Sequence, residues 1–234
     1  GAAVSDKTKL LIINYPNNPT GQILTEADIQ ALTVFLRKHP NIYVLSDEIY
    51  EKIVYDQKQI ISLASIPEFF DRVVIVNGFS KCSAMTGWRL GYLACNTAMY
   101  QVVLKLFQHS ISCTSGFLQR GALTAMDCVE KTEQMRQAYE KRKNLLVKGI
   151  HEIPGVELLT PAGAFYAWVK FDTDMDSETL CNDLLDKAKI AGVPGIAYGE
   201  EDCVCIRFSF AASEDVLRTM LERLKTYQTT HNDL

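Results

Sequence analysis

The chain has 234 residues, of which 47% are hydrophobic and 22% are charged, as in an ordinary globular enzyme. Its formal net charge of −4 gives no electrostatic reason to expect binding to nucleic acid or to an anionic membrane, and no apolar run reaches membrane-spanning length. Seven cysteines without a Cys-x-x-Cys pair predict reduced core thiols in a cytoplasmic protein, and no metal site is predicted.

The first half of the chain alternates apolar runs with helical periodicity. Residues 10–14 predict a buried strand, and the proline- and asparagine-rich stretch 15–21 predicts a fixed loop. Thr25 is expected to cap a helix that reaches Lys38, with Asp28 at the capping-box position. Further strands are predicted at 42–45, 72–76 and 90–94. Strands separated by helices, without hairpin turns, predict a mostly parallel sheet.

The second half changes character after a long charged helix at 129–150, whose charge run is typical of a solvated helix face. Shorter helices precede it at 97–112 and 116–126. Beyond Pro154-Gly155, the predicted elements are strands 156–159 and 164–169, a helix capped by Ser177 that runs through Ala188, strand 203–210 and a last helix capped by Ser213. The expected fold is therefore α/β, a mostly parallel sheet flanked by helices, with a small α+β C-terminal domain.

One segment carries the chemistry. Lys81 stands just beyond the predicted strand at 72–76, and Arg89 follows eight positions later. Ligands bind at the carboxyl ends of strands in open α/β sheets. A lysine there can lose its proton and form a Schiff base with an aldehyde, and an arginine can hold a phosphate. An aldehyde and a phosphate on one small molecule indicate pyridoxal phosphate. The alternative is that Lys81 is a solvated surface lysine.

The string from Ser80-Lys81 to Thr86-Gly87-Trp88-Arg89 resembles the cofactor-lysine segment of fold-type I pyridoxal-phosphate enzymes, in the aspartate aminotransferase family of class I and II aminotransferases. The resemblance covers essentially the whole chain but begins midway through the family's cofactor domain. It implies that residues 1–128 are the C-terminal part of the cofactor-binding large domain, 129–150 a bridging helix and 151–234 the small domain. We expect an N-terminally truncated fragment that is inactive by itself.

The resemblance also implies roles for polar residues near the ends of the first two strands. Asn17-Asn18-Pro19-Thr20-Gly21 is similar to the family's Asn-Pro-Thr-Gly signature, in which Asn18 would bind the cofactor's 3′-oxygen and help to hold the substrate carboxylate. Asp47 would keep the pyridine nitrogen protonated, because a nearby carboxylate favours the cationic form. Tyr50 would donate its phenol to the 3′-oxygen. The alternatives are an ordinary loop and a helix cap.

By the same resemblance, Lys81 holds the cofactor and acts as general base, while Arg89 binds the phosphate. Many family members carry a phosphate-contacting serine where this chain has Gly78, so either Ser80 or a backbone N–H is expected to substitute for it. Arg207 lies inside an apolar strand, where a charge needs a partner. The resemblance implies a bidentate clamp on the substrate α-carboxylate, and the alternative is an internal salt bridge.

The implied function is pyridoxal 5′-phosphate-dependent transamination between an amino acid, aspartate-like or aromatic, and a 2-oxo acid. The full-length protein is expected to be a homodimer without nucleic-acid or membrane partners. Two alternatives stay open: a carbon–sulfur β-lyase of the same fold, and the effector domain of an aminotransferase-like transcription regulator. Tyr50 favours transamination, because related β-lyases carry histidine at the corresponding place.

Overall fold

The computed structural model describes residues 3–231 of the chain, with no account of the side chain of residue 231. The chain divides into two compact units. Unit 1 comprises residues 1–16 and 23–134, and unit 2 comprises residues 17–22 and 135–234. None of the helices among the described residues is long and apolar enough to cross a membrane.

Unit 1 is built on a four-stranded sheet. Its strands are β1 (Leu10–Asn14), β2 (Tyr43–Asp47), β3 (Val73–Gly78) and β4 (Gly91–Ala94). They lie in the order β1-β2-β3-β4, with the first three parallel and β4 antiparallel to β3. The predicted α/β class is confirmed.

The helices of unit 1 begin with α1, which has the predicted capping box. The helical elements are α1 (Glu26–Lys38), three short 3₁₀ turns (Leu63–Ser65, Pro67–Arg72 and Thr86–Trp88), α2 (Thr97–Ser110), α3 (Gly116–Asp127) and the start of α4 (Val129–His151). At α1 the Asp28 N–H donates to Thr25 Oγ1 at 3.2 Å, and the Thr25 N–H donates to the Asp28 carboxylate at 2.8 Å. Both orphan donors of the first turn are thus satisfied.

The edges of this sheet are open to solvent, which contradicts the expectation of a buried first strand. Leu10 and Ile12, which share one face of β1, are 47% and 64% exposed, whereas Leu11 and Ile13 on the other face pack against the core of unit 1. The residues of β4 are exposed along its whole length. Large apolar side chains of α2 and α3 are exposed as well, including Leu106, Phe117 and Leu123.

Unit 2 is an α+β arrangement around an antiparallel sheet. Its strands are β5 (Val156–Leu159), β6 (Tyr166–Phe171), β7 (Val193–Pro194) and β8 (Cys205–Ser209), in the order β5-β6-β8-β7. The helices are the rest of α4, α5 (Ser177–Asp183), a π-helical turn (Leu184–Ala188) and α6 (Glu214–His231). The cap of α5 was predicted one residue too late: Asp176 accepts from the Thr179 N–H at 2.8 Å, and Ser177 is the first helical residue.

The observed division differs from the one predicted along the chain in two respects. The loop 17–22 groups with unit 2, although the residues on both sides of it belong to unit 1. The change from one unit to the other near the start of α4 falls between residues 134 and 135, within that helix rather than at its end. The predicted division into a large domain, a bridging helix and a small domain stays a prediction.

Candidate active site

In unit 1, the predicted residues Asp47, Tyr50 and Lys81 gather at one edge of the sheet. Asp47 is the last residue of β2 and pairs with Val76 of the adjacent parallel strand β3. The carboxyl ends of both strands therefore share an edge, which is where ligands bind in open α/β sheets. Tyr50 follows in a turn and is buried, and the Lys81 Nζ lies 5.9 Å from the centre of its ring.

The Asp47 carboxylate is fixed by the turn that it starts. Its Oδ1 accepts from the Ile49 N–H at 3.2 Å, and the side chain stays half-buried. The neighbouring Glu48 points instead into unit 1 and is 5% exposed. It accepts hydrogen bonds from the hydroxyls of Ser46 at 2.9 Å and Ser62 at 2.6 Å. Of the two adjacent carboxylates, the one predicted to meet a ligand is thus Asp47, whereas Glu48 accepts hydrogen bonds inside unit 1.

Arg89 and Ser80 belong to the loop between β3 and β4, which is held together by two hydrogen bonds of its own. The Thr86 hydroxyl donates to the Ser80 carbonyl at 2.9 Å, and Arg89 Nη1 donates to the Thr86 carbonyl at 3.2 Å. Arg89 adopts a left-handed backbone with φ of 53°, and its side chain is exposed. A charged guanidinium and a half-buried serine thus lie on the same loop as Lys81.

The close approach of β4 to Gly78 explains why this position has no room for the phosphate-contacting serine of the resembled family. A Cβ at this position would lie 2.9 Å from both Gly91 Cα and the Leu90 carbonyl oxygen, because β4 packs directly against it. Its N–H already donates to the Asn77 side chain at 2.7 Å. Gly78 can therefore offer a phosphate neither a hydroxyl nor its own N–H. The residues still predicted to bind the phosphate are Ser80 and Arg89.

Unit 2 brings together the other two predicted residues, Asn18 and Arg207. Arg207 lies in the middle of β8, in register with Trp168 of β6 and Val193 of β7. Its Nη1 donates to Asn18 Oδ1 at 2.8 Å. Among residues 3–231 no carboxylate pairs with Arg207, so the internal salt bridge left open from the sequence is not observed there. The Arg207 Nε is buried and has no hydrogen-bond partner in this described part.

Two tyrosines flank the Arg207 guanidinium, and sequence reasoning did not assign them a role. The guanidinium carbon lies 4.4 Å from the ring centre of Tyr166 and 5.2 Å from that of Tyr198. Burial raises the pKa of Tyr198, with the Arg207 charge opposing the rise. Such stacking stabilises a cation without neutralising it. Arg207 thus lies in a partly desolvated place beside two aromatic rings.

The loop 17–22 presents Asn18 to Arg207 through its own hydrogen bonds and a glycine. The Ala162 and Gly163 N–H groups both donate to the Gly21 carbonyl at 2.8 Å. Gly21 has φ of +69°, and a Cβ there would lie 2.8 Å from Pro161 Cβ and 2.9 Å from the Tyr166 carbonyl oxygen. Only glycine fits both the backbone angle and the close approach. The Asn-Pro-Thr-Gly string is therefore a docked loop and not a mere connection.

Comparison with known proteins identifies the family. The chain matches aminotransferase class I and II over residues 2–224, and it belongs to this family. It is 39% identical, over 95% of its length, to an aspartate aminotransferase from Musicola paradisiaca (strain Ech703), and 37% identical, again over 95%, to aromatic-amino-acid aminotransferase 2 from Thermococcus litoralis. It covers 56% and 58% of those two proteins, respectively, and so spans little more than half of their length.

The fold agrees with a solved structure of the same family. An aromatic aminotransferase from Pyrococcus horikoshii OT3 matches all of this chain with a TM-score of 0.94 at 35% identity, and the chain covers 63% of that protein. Members of the aspartate and aromatic aminotransferase family use pyridoxal 5′-phosphate. The relatives are named aminotransferases, which are enzymes of the transferase class.

The residues of unit 1 fit that cofactor chemically. Lys81 offers an amine for the aldehyde, Asp47 a carboxylate for the pyridine nitrogen, and Tyr50 a phenol for the 3′-oxygen. Arg89 and Ser80 offer donors for the phosphate on the loop that Thr86 closes. These residues lie at or beyond the ends of β2 and β3, at the edge that such sheets use for ligands.

Proposed function

We propose that the protein containing this chain catalyses transamination between an amino acid, aspartate-like or aromatic, and a 2-oxo acid, with pyridoxal 5′-phosphate. The proposal is supported by family membership and by relatives named aspartate and aromatic-amino-acid aminotransferases. The observation that carries it is Lys81, which follows β3 directly and whose amine lies over the ring of the buried Tyr50.

In this proposal the cofactor-binding and catalytic groups come from unit 1. When bound, pyridoxal phosphate supplies an electron-withdrawing ring that stabilises negative charge at the substrate α-carbon. Lys81 moves the α-proton as general base. Asp47 keeps the ring nitrogen protonated, because its negative charge favours the cationic form. Tyr50 donates to the 3′-oxygen.

The phosphate is assigned to the loop between β3 and β4. Arg89 supplies a guanidinium whose parallel N–H groups match phosphate oxygens. Ser80 supplies a hydroxyl on the same loop, in place of the serine for which Gly78 has no room.

The substrate α-carboxylate is assigned to Arg207 and Asn18 of unit 2. Three observations on Arg207 support this assignment. Its guanidinium has no carboxylate partner among residues 3–231 and lies against the rings of two tyrosines. Its Nε is buried and has no hydrogen-bond partner in the same described part of the chain. A buried charge without an opposite charge is unfavourable, and a carboxylate ligand provides that charge together with matching planar geometry. Asn18 holds the guanidinium in place.

We further propose a homodimer and a cytoplasmic location for the whole protein. Exposed apolar side chains on α2 and α3 of unit 1 support association, because large apolar patches usually mark interaction surfaces. The cysteines, all unpaired as thiols in the described part, suit a reducing compartment. The expectation of core thiols is nevertheless wrong for two of them, since Cys113 and Cys128 are exposed.

Chemical capture of the cofactor tests this proposal. The purified protein is incubated with pyridoxal phosphate, reduced with borohydride, digested and mapped by mass spectrometry. We expect the adduct on Lys81 and none after Lys81→Ala. The matched control is Lys170→Ala, which removes an exposed lysine paired with Glu157 at 3.6 Å and should leave the adduct intact.

The kinetic arm of the same experiment uses the protein in its full length. Lys81→Ala is expected to lower the transamination rate by about 10²- to 10⁴-fold, the usual contribution of a general base. Adducts spread evenly over surface lysines, or a Lys81→Ala variant with unchanged turnover, would contradict the proposal.

A further inference from the structure

Two cysteines of unit 2 lie in direct contact. Cys205 is the first residue of β8, and Cys203 lies in the bend just before it. Side chains two positions apart along an extended chain point to the same face. The two sulfurs are 3.2 Å apart. The spacing is Cys-x-Cys, so a sequence search for Cys-x-x-Cys pairs passes over it.

The other cysteines differ from this pair. Cys82 and Cys128 direct their sulfurs at the carbonyls of Gly78 and Thr124, at 3.5 and 3.4 Å. Cys113 is exposed on the segment between α2 and α3. Within residues 3–231, Cys203 and Cys205 are the only two thiols found in contact with each other.

The two thiols are unequal in access. Cys205 is 1% exposed, and burial, followed by the contact with Cys203, raises the pKa of its thiol to about 12. Cys205 is therefore protonated at neutral pH. Cys203 is half-buried in a bend that Glu200 organises, since Glu200 Oε1 accepts from the Asp202 and Cys203 N–H groups at 3.1 and 3.3 Å. An oxidant arriving from solvent meets Cys203 first.

We propose that Cys203 and Cys205 form a redox-modification site that a hydroperoxide converts into an intramolecular disulfide. The sulfurs need to approach by about 1 Å to reach disulfide bond length. A residue in a bend can make that adjustment more readily than one in a paired strand. The proposal stands on the contact between the sulfurs and does not depend on the proposed transamination.

The reaction balances in two steps. The Cys203 thiolate attacks one peroxide oxygen, the O–O bond breaks, and the leaving hydroxide or alkoxide takes up a proton, which leaves Cys203 as a sulfenic acid. The Cys205 sulfur then attacks the Cys203 sulfur, the S–O bond breaks, and hydroxide leaves as water with the Cys205 proton. One peroxide oxidises the two thiols. Hydrogen peroxide is reduced to two water molecules, and an organic hydroperoxide to water and an alcohol.

Peptide mapping offers a direct test, because the tryptic peptide between Lys189 and Arg207 contains both cysteines. The protein is purified under reducing conditions, treated with equimolar hydrogen peroxide, alkylated and digested. We expect this peptide to be lighter than the reduced form by two hydrogen atoms and to carry no alkyl group. Dithiothreitol should restore both alkylation sites.

Cys203→Ser and Cys205→Ser are the matched variants, and circular dichroism checks that each folds. In Cys205→Ser we expect sulfenic acid at Cys203, trapped by dimedone, and no disulfide. In Cys203→Ser we expect Cys205 to stay reduced at the same dose, because it is buried. The exposed Cys113 serves as the internal control for the peroxide dose. Full alkylation of both Cys203 and Cys205 when Cys113 is already oxidised would overturn the proposal, as would sulfinic acid at Cys203 of the unmodified sequence without any disulfide.

Discussion

The surroundings of Arg207 in unit 2 and of Arg89 in unit 1 differ sharply, although both residues are assigned to an anionic group. Arg207 is held by Asn18 and lies over the rings of Tyr166 and Tyr198, all within its own unit. Arg89 is exposed, and its guanidinium donates to the Thr86 carbonyl of its own loop. Unit 2 thus holds Arg207 in place through several residues, whereas unit 1 positions Arg89 through one hydrogen bond within its own loop.

This difference indicates where side-chain identity matters most. A guanidinium stacked between aromatic rings is matched to its place by shape as well as by charge. Water screens an exposed cation, so a guanidinium there contributes less to ligand binding, even where its parallel N–H groups pair with an anion. Exchange of arginine for lysine should therefore have unequal effects at the two positions, and that inequality can be measured.

The largest effect is expected for Arg207→Lys. Lysine loses the planar fork, the stacking on Tyr166 and the bond to Asn18, so binding of a carboxylate should weaken by about 2–5 kcal/mol, or about 30- to several thousand-fold. The measurement is the dissociation constant of succinate and of 3-phenylpropionate, which carry a carboxylate without the amino group. Whichever of the two binds more tightly to the unmodified protein indicates the substrate side chain.

Two further variants decide how this result is interpreted. Arg89→Lys, assayed with inorganic phosphate, should lose no more than about 1 kcal/mol because the side chain is exposed. Arg218→Lys changes an exposed arginine paired with Glu214 at 3.7 Å and should leave carboxylate binding unaltered. Equal losses for Arg207→Lys and Arg218→Lys would mean that Arg207 does not contact the ligand.

Gly21→Ala should have the next largest effect, on the loop that presents Asn18. The added methyl group meets Pro161 and the Tyr166 carbonyl, and alanine is strained at φ of +69°. A strained backbone position of this kind costs about 1–3 kcal/mol. We expect lower denaturant midpoints and faster hydrogen exchange at the Ala162 and Gly163 amides. Gly116→Ala is the control, because nothing lies within 4 Å of the added atom and the position does not have a positive φ; a similar loss there would refute the explanation.

The smallest effect concerns one helix cap in each unit. Hydrogen bonds from Thr25 lower the pKa of Asp28 below 3.8, and those from Thr179 do the same for Asp176. A carboxyl group with a lowered pKa stabilises the fold above its unfolded pKa, and this contribution disappears as the pH falls through the folded pKa. Asp28→Asn and Asp176→Asn should therefore lower the thermal midpoint slightly at pH 7 and not at pH 2. A difference that persists unchanged at pH 2 would contradict the charge-based origin.

Local signals gave much of the fold from sequence. Hydrophobic runs and caps predicted β1, α1 and the parallel order of β2 and β3 to within a residue or two. Burial of β1 was predicted wrongly for Leu10 and Ile12, because the local pattern does not specify what covers each face of a strand. The cap of α5 was missed by one residue because Asp176 and Ser177 are both good caps, and only the backbone decides between them.

The sequence predicted only those parts of the candidate site that lie within recognisable motifs. Lys81, Asp47 and Tyr50 follow strands whose ends are evident from the sequence, so their gathering at one edge could be foreseen. The contact of Asn18 with Arg207 joins residues far apart in the chain through a loop that packs away from its sequence neighbours. Tyr198 carries no local signal at all, since its ring reaches Arg207 only because β7 and β8 pair.

The aromatic surroundings of Arg207 have an optical consequence. The ring of Trp168 meets that of Tyr198 edge-on with centres 5.8 Å apart, and Trp168 is the strand partner of Arg207. The chain has two tryptophans, and the other one, Trp88, belongs to unit 1. Replacing Trp88 with phenylalanine would leave Trp168 as the single indole of the chain, beside the arginine. Emission from that indole would then report the arrival of a carboxylate without any attached dye.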